Sequence, residues 1–135
     1  IKIINLAANT KNYGLKKNGT YTASCKNTTC GDRVKIQIYS KNGMVKDLRY
    51  ETESCIFCQA SASILSNVIK SIHEKDLKKE IEIVYKSFNN GKIKLPKKYY
   101  LFKPLINKKY KNRTNCILLP FNAILKALRI WKKYY

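Results

Sequence analysis

The chain has no long apolar run, no recognisable leader and few acidic residues. No apolar segment approaches the ~20 consecutive residues that a membrane-spanning helix needs, so we expect no membrane partner. Residues 1–8 are too short for a secretory signal peptide, and no basic run precedes them. We therefore expect a cytoplasmic protein.

The number of cysteines in the chain is odd. With five cysteines, a complete internal disulfide framework cannot form. Without a secretory signal, free or metal-bound thiols in a reducing cytoplasm are the better interpretation.

The scarcity of acidic residues makes the chain strongly basic. It contains 28 Lys and Arg against 8 Asp and Glu, a formal net charge of +20. Such a charge suits the neutralisation of phosphates in nucleic-acid binding. The basic residues are scattered, however, and the wealth of Lys, Asn, Ile and Tyr is the bias expected from A/T-rich codons. We therefore favour a solvated lysine surface, expect no nucleic-acid partner, and expect the charge to assist docking on an acidic partner.

What is present indicates one folded domain spanning residues 1–135. The hydrophobic fraction is 44%, and the 10 Tyr, 4 Phe and 1 Trp are typical of a folded chain rather than a disordered one. A chain of 135 residues is also long enough to bury a core.

An antiparallel hairpin is predicted over about residues 34–51. Residues 34–39 alternate apolar and polar side chains, as a half-buried strand does. Asn42-Gly43 is a strong hairpin turn because both residues tolerate positive φ. A second strand follows over residues 45–51, and Val45 lies out of phase with it, which predicts a late start or a bulge.

Helical periodicity follows the hairpin. From Ile56 onwards an apolar stripe predicts one helix, and residues 76–88 predict a second, which Asn89-Asn90-Gly91 ends. A short helix at residues 1–8 is also predicted. The stripe comprises Ala60, Ile64, Leu65, Val68, Ile69 and Ile72.

The C-terminal part is predicted to be a basic excursion followed by a helix. Residues 92–112 contain two prolines, eight lysines and little periodicity. The last helix is predicted to begin near Leu119, with Pro120 in its first turn. The whole pattern is α+β: a small antiparallel sheet with helices packed on one face. The residues that the last helix is predicted to bury are Phe121, Ile124, Leu125, Leu128 and Trp131.

Three distant cysteines lie where a loop is predicted to meet a strand or helix, so their thiols could converge. Cys55 and Cys116 each precede a predicted helix, and a helix N-terminus stabilises thiolate, the form that binds metal. Cys30 and Asp32 flank a glycine that allows a tight turn around an ion. A carboxylate among thiolates makes a less tightly held iron–sulfur site than four thiolates.

Four segments carry a family resemblance in chain order, from about residue 10 to about residue 130. They are Lys11-Asn12-Tyr13-Gly14, Cys30-Gly31-Asp32-Arg33, the Cys55 segment that ends in Ala60-Ser61-Ala62-Ser63, and the segment from Arg113 to Pro120 around Cys116.

These segments resemble the motifs of the IscU/SufU/NifU-N-terminal iron–sulfur scaffold proteins. The resemblance implies the ligands Cys30, Asp32, Cys55 and Cys116, and it implies a persulfide-accepting role for Cys116. In such proteins a cysteine desulfurase delivers sulfur, iron joins it, and the resulting [2Fe-2S] cluster passes to apo iron–sulfur proteins. SufU-like members can instead hold zinc at this site and accept sulfur.

Several departures bear on the branch of the family. Thr28 stands where a proline commonly precedes the first ligand by two residues, and Asn115 stands where IscU-type members carry His. The Leu-Pro-Pro-Val-Lys segment for a chaperone is missing before Cys116, and Leu95-Pro96 lies too far upstream to replace it. The 61 positions from Cys55 to Cys116 favour the SufU-like branch.

The two remaining cysteines have simpler interpretations. Cys55-x-x-Cys58 suits a metal or redox pair, but we favour Cys58 packing beneath Cys55 and keep a spare ligand as the alternative. Cys25 is predicted to lie in a loop without function.

Other candidate residues also have two interpretations. His73 is predicted to be a surface or capping residue rather than a ligand. Arg113 is either a partner of a thiolate or persulfide at Cys116 or an exposed loop residue. Four aromatics among lysines could stack bases, but packing and composition explain them more simply. These aromatics are Tyr100, Tyr110, Tyr134 and Tyr135.

The leading hypothesis is therefore a scaffold for a transient [2Fe-2S] cluster rather than an enzyme that turns over a small molecule. The alternative is a zinc-bound sulfurtransferase that activates a cysteine desulfurase. A basic nucleic-acid-binding module with a structural zinc is the third hypothesis.

Overall fold

A four-stranded antiparallel sheet and a layer of helices form the fold, which we describe from a computed structural model. The model describes residues 2–17, 19–28, 31–90 and 94–128. The elements in chain order are α1 (Lys2–Ala8), β1 (Tyr21–Asn27), β2 (Asp32–Lys41), β3 (Met44–Glu53), α2 (Ile56–Val68), β4 (Ile72–His73), α3 (Glu74–Asn89), a first 3₁₀ helix (Lys97–Leu105), a second 3₁₀ helix (Lys108–Arg113) and α4 (Thr114–Ala127).

The predicted hairpin is confirmed as β2 and β3, in a sheet with the order β1-β2-β3-β4. The turn at Asn42 and Gly43 has φ of 54° and 78°, as a tight hairpin turn requires. The register shifts after the Tyr39–Asp47 pair, since Ser40 pairs with Val45. This is the bulge that the phase of Val45 predicted, and it allows Val45 to be fully buried.

Strand β1 was not predicted, and it corrects the interpretation of Cys25. The residue lies within β1, paired with Val34 of β2, rather than in a loop. Because β1 is an edge strand, its inward side contributes small residues such as Ala23, and its apolar alternation is weak.

Helix α2 is shorter than its stripe predicted. It begins at Ile56 as expected but ends at Val68, and Ser71 adopts φ of 53° shortly afterwards. Ile72 then pairs with Val45 as part of β4. The end of α2 and strand β4 both bury apolar residues that lie close together in the sequence. Apolar periodicity alone therefore could not show where the helix ends and the strand begins.

Helix α3 confirms the prediction for residues 76–88 with slightly wider bounds. It buries Leu77, Ile81 and Val84 on one face. His73 is its N-cap, and the Nδ1 atom of His73 accepts the N–H of Lys75 at 3.2 Å. The capping interpretation of His73 is therefore confirmed, at the start of α3. Gly91 lies outside the described residues.

The basic excursion at residues 92–112 is more ordered than its composition indicated. The two 3₁₀ helices occupy most of it, and the first buries Tyr99, Phe102 and Leu105. The Tyr99 hydroxyl donates to Glu80 Oε1 at 2.8 Å. A 3₁₀ helix repeats every three residues, so its buried positions do not follow the α-helical period.

The predicted start of α4 near Leu119 is wrong. The helix begins at Thr114, and Pro120 lies inside it. Phe121 and Ile124 are fully buried as expected, whereas Trp131 lies outside the described residues. Leu125 and Leu128 are partly buried against the same core.

The helices form one layer over one face of the sheet, which confirms the α+β class. Helix α4 packs on β1 and β2, α2 packs on β3, and α1 packs on α2. Across the other face, Gln37 bonds to the backbone N–H and carbonyl of Lys16 at 2.8 and 2.7 Å. Among the described residues, no helix is long and apolar enough to span a bilayer.

Candidate metal centre

Three of the four predicted ligands meet where α2 and α4 begin beside the sheet. Asp32 is the first residue of β2, Cys55 is the N-cap of α2, and Cys116 lies in the first turn of α4. One ligand atom from each lies within 4.8 Å of the others. Cys30 lies outside the described residues, so its position is not part of this geometry.

Gly31 sets the direction in which the chain enters the site. Its φ is +74°, a conformation that favours glycine, and its N–H donates to the Asn27 carbonyl at 2.8 Å. A Cβ on Gly31 would have no neighbour within 4 Å, so backbone conformation rather than space requires the glycine. The turn thus brings Asp32 back into register with Asn27.

The Asp32 carboxylate binds the start of α2. Its Oδ1 atom accepts the backbone N–H of Cys55 at 2.9 Å, and its Oδ2 atom accepts the Cys55 thiol at 3.5 Å. Asp32 is only 3% exposed. A buried carboxylate needs such partners, and a cation among the same donors would neutralise it.

Cys116 is also buried, at 4% exposure, and its position corrects the sequence prediction. It does not precede its helix but lies in the first turn of α4. The first turn of a helix still carries a partial positive charge, which favours an anionic ligand atom.

A buried hydrogen bond joins the two helices behind the ligands. The Ser61 hydroxyl of α2 donates to the Ile117 carbonyl of α4 at 2.6 Å, and Ser61 is fully buried. Ala60 and Ala62 beside it are also buried, so small side chains let the helices approach. No role for Ser61 was predicted, although a serine within an apolar helical face is a detectable signal.

Aromatic and basic side chains flank the site. The ring of Phe57, the second residue of α2, lies 4.9 Å from that of Tyr110 between centroids. The Arg113 guanidinium carbon lies 5.7 Å from the Phe57 centroid. Arg113 is exposed, as the second of its two interpretations predicts, and it lies at the end of the second 3₁₀ helix beside the Phe57 ring.

Cys58 and Cys25 are outside the ligand group. Cys58 is fully buried, and burial raises the pKa of its thiol to about 12. Burial also raises the pKa of Cys25. Both thiols are therefore protonated at neutral pH, which agrees with packing rather than metal binding for Cys58.

Two of the four aromatics considered for base stacking have a lysine ammonium close to the ring. Tyr100 lies under the ammonium of Lys103, 3.8 Å from its ring centroid, and Lys109 lies 5.7 Å from that of Tyr110. Tyr134 and Tyr135 lie outside the described residues.

Asn12, in the most N-terminal of the resembling segments, ties that segment to α2. Its side-chain amide donates to the Ser66 carbonyl at 3.1 Å and to Asn67 Oδ1 at 3.2 Å. Asn12 is buried, so these bonds also satisfy a polar group that has left water.

The donor set fits a thiophilic metal. Two sulfur atoms and one carboxylate oxygen suit zinc or iron. Two sulfur ligands of a tetrahedral zinc ion lie about 3.8 Å apart, so ligand atoms within 4.8 Å of one another must close in by at most about 1 Å to share one ion. Among the described residues, this is the group of titratable side chains with metal-binding spacing.

The chain is similar in sequence to two known proteins. The iron–sulfur cluster assembly scaffold protein IscU of Thermotoga maritima is 29% identical over 128 residues, covering 90% of this chain and 87% of that protein. The zinc-dependent sulfurtransferase SufU of Bacillus subtilis is 34% identical over 62 residues, covering 46% of this chain and 42% of that protein.

Two solved structures share the fold. An N-terminal NifU-like protein from Brucella abortus has a TM-score of 0.82 and 21% identity, covering 99% of this chain and 94% of its own. A putative SufU scaffold protein from Fervidobacterium islandicum has a TM-score of 0.83 and 20% identity, covering 94% and 93%. The family model of the NifU-like N terminal domain matches residues 1–116. The chain therefore belongs to the NifU-like N terminal domain family.

Proposed function

We propose that this chain is a scaffold on which a transient [2Fe-2S] cluster is assembled and then transferred. Cys30, Asp32, Cys55 and Cys116 would hold the cluster, which is cargo rather than a resident cofactor. The convergence of the Asp32, Cys55 and Cys116 ligand atoms within 4.8 Å is the observation that carries the proposal. Residues 1–135 would act as one domain.

The asymmetry of the three ligands supports transfer. Asp32 and Cys116 are buried, whereas Cys55 is only half-buried and offers the open side of the site. A carboxylate oxygen holds iron less tightly than a fourth thiolate would. Asp32 would therefore be the ligand that leaves first when the cluster passes to an apo iron–sulfur protein.

Sulfur would arrive from a cysteine desulfurase as a persulfide, with Cys116 as acceptor. The Cys116 thiolate would attack the outer sulfur of the donor persulfide. The donor S–S bond would break, the donor cysteine would leave as thiolate, and a new S–S bond would form on Cys116. The reaction needs a reduced Cys116 thiol and releases a reduced thiol on the donor, which is why we place it in the cytoplasm.

A second candidate is a zinc-bound sulfurtransferase that activates the desulfurase. It is favoured by donor separations close to those around a single zinc ion. Similarity to a protein named zinc-dependent sulfurtransferase adds to that observation. In this case zinc would occupy the site, and it would have to give up one ligand while Cys116 accepts sulfur.

Anaerobic reconstitution with iron, a desulfurase and L-cysteine separates the two candidates. The scaffold proposal expects visible absorption of a cluster, with equal iron and acid-labile sulfide. Retained zinc with no cluster, together with a stimulated desulfurase, would instead favour sulfur transfer. Cys58→Ala is the matched control, because this buried thiol lies outside the ligand group and its loss should leave the absorption unchanged. Failure to hold either metal would contradict both candidates.

Asp32→Ala tests the transfer step. We expect slower release of the cluster to an apo-ferredoxin, because the carboxylate that would dissociate first is no longer there to open the site. Release is followed by the change in visible circular dichroism. Release at the wild-type rate would contradict the role of Asp32 in lability. Sub-micromolar binding of DNA or RNA at physiological salt, with no metal bound, would instead revive the nucleic-acid hypothesis.

A further inference from the structure

A basic furrow runs along the free edge of β1, between the sheet and α4. It encloses about 730 Å³. Its basic lining residues are Lys26, Arg33 and Lys35 of the sheet and Lys126 of α4. All four side chains are exposed, and no acidic residue lines the furrow among the described residues. It therefore presents one sign of charge to any occupant.

The edge of β1 offers backbone groups to that occupant. Strand β1 pairs with β2 on one side, and no other described strand pairs with it. The Ser24 carbonyl points to the free side, since it accepts the Lys126 ammonium at 3.0 Å. An edge of this kind can accept an extended segment as a further strand.

The side chain of Asn122 adds a hydrogen-bond acceptor to the furrow, and no donor reaches this acceptor in the described structure. Its Oδ1 atom is buried and has no hydrogen-bond partner within the described part of the chain. Asn122 lies between Leu119 and Lys126 on the α4 side of the furrow. A buried amide oxygen of this kind costs free energy until a donor reaches it, and a main-chain N–H of an extended segment is such a donor.

The furrow continues toward the first turn of α4, the turn in which Cys116 lies. A second depression of about 230 Å³ shares Lys26, Leu119 and Asn122 with it and reaches Asn115. Asn115 is the neighbour of Cys116 in the first turn of α4. A segment bound along β1 would therefore point toward the proposed persulfide acceptor.

The nearest carboxylates lie beside the furrow rather than in its lining. Glu53 and Glu51 of β3 pair in register with Arg33 and Lys35, but neither forms an ion pair within 4 Å in the described structure. Neither glutamate lines the furrow. Basic residues beside an edge strand also oppose pairing between two copies of the chain. The same charges would favour an acidic strand over a copy of β1.

We propose that this furrow binds an extended acidic segment of the protein that delivers sulfur to the metal centre. The identity of the occupant as sulfur donor rests on the proposed function. The segment would add main-chain N–H donors to the β1 edge and to Asn122, and its carboxylates would contact Lys35 and Lys126.

The test uses a fluorescein-labelled peptide in which Glu and Thr alternate, with the seven-residue length of β1. Fluorescence anisotropy at about 0.15 M salt reports its affinity. We expect Lys35→Glu/Lys126→Glu to weaken binding at least about tenfold. The matched control is Lys46→Glu/Lys79→Glu, which changes net charge equally at exposed positions outside the furrow. This control should change affinity by less than about twofold.

Asn122→Leu is a second variant that should keep the fold. It removes an unpartnered buried oxygen, so we expect unchanged or higher stability together with weaker peptide binding. Equal losses in the two double variants, or no binding by the wild type, would overturn the proposal. Tighter binding of a single-stranded oligonucleotide that displaces the peptide from the furrow would also overturn it.

Zinc content, measured on every variant, keeps the two proposals apart. The furrow variants leave Asp32, Cys55 and Cys116 in place, so we expect wild-type zinc content. A wild-type chain that binds no metal would contradict the proposed function whatever the peptide does. Normal zinc content with unchanged peptide binding in the furrow variants would overturn the docking inference alone.

Discussion

The start of α4 and its middle serve different purposes. At the start, Cys116 joins Asp32 and Cys55 in a group of polar donors. In the middle, Phe121 packs against Phe102 and Phe88, with centroid distances of 5.2 and 6.0 Å. Burial of aromatic rings stabilises a fold strongly, whereas a buried carboxylate beside two thiols costs free energy that hydrogen bonds or a bound cation must offset. Stability and metal binding are thus separated along one helix.

The largest expected effect is on the aromatic side of this comparison. Phe102 is fully buried and contacts Phe88, Tyr99 and Phe121. We expect Phe102→Ala to lower the free energy of unfolding by about 3–5 kcal/mol, because a large cavity forms. Urea unfolding of the metal-free protein measures this loss. The amount of zinc bound per folded molecule should stay constant. A parallel loss of zinc affinity would show that stability and metal binding are not separated along α4.

The buried Cys58 thiol of α2 allows the next test, which depends on pH. The folded pKa of Cys58 is about 12, above the ordinary value of 9.0. The contribution of the protonated Cys58 thiol to the free energy of unfolding is therefore fully present below pH 9. This contribution is lost as pH rises toward 12. Relative to Cys58→Ala, the wild type should lose about 2 kcal/mol between neutral pH and about pH 10.5.

Urea unfolding of both metal-free proteins at the two pH values measures this difference. Because lysines and tyrosines titrate in both proteins, their contribution is removed when the two unfolding free energies are subtracted. A stability difference that is independent of pH would show that the Cys58 thiolate is accommodated in the folded state.

A smaller effect tests the bond that joins α2 to α4. Ser61→Ala removes the hydroxyl that reaches the Ile117 carbonyl, and Ser87→Ala removes an equally short bond to Val84 within α3. Both serines are buried, so each variant should lose about 1 kcal/mol of unfolding free energy. Only Ser61→Ala should also weaken zinc binding, by about tenfold, because it loosens the approach of Cys55 to Cys116.

Zinc titration against a chromophoric chelator measures the affinity of each serine variant. Equal zinc affinities for the two variants would mean that the ligands are positioned without the interhelical bond.

The smallest expected effect is at His73, which caps a helix and is not one of the grouped ligands. His73→Ala removes the cap of α3 and should cost about 0.5–1 kcal/mol without altering zinc content. Asn107→Ala is a matched control, because Asn107 caps the second 3₁₀ helix by accepting the Lys109 N–H at 2.9 Å. Loss of zinc in His73→Ala alone would make His73 a ligand and contradict its role as a cap.

Much of the sheet and of α3 could be predicted, because local rules decide them. The Asn42-Gly43 turn and the alternation of residues 34–39 specify the hairpin at short range. The weak edge strand β1 escaped, since its burial depends on α4, which lies far along the chain. The start of α4 also escaped, because Pro120 resembles a first-turn proline although the helix already runs through it.

The sequence by itself determined the chemistry of the candidate site. It determined a carboxylate after a glycine and thiols near helix starts, because these follow from residue type and local periodicity. Only the tertiary structure decided that Asp32 binds the start of α2, and that Cys58 stays protonated three residues from Cys55. The free edge of β1 beside Lys126 also emerges only in three dimensions. Distances across the fold and the exclusion of water arise from packing between remote segments, which no local pattern encodes.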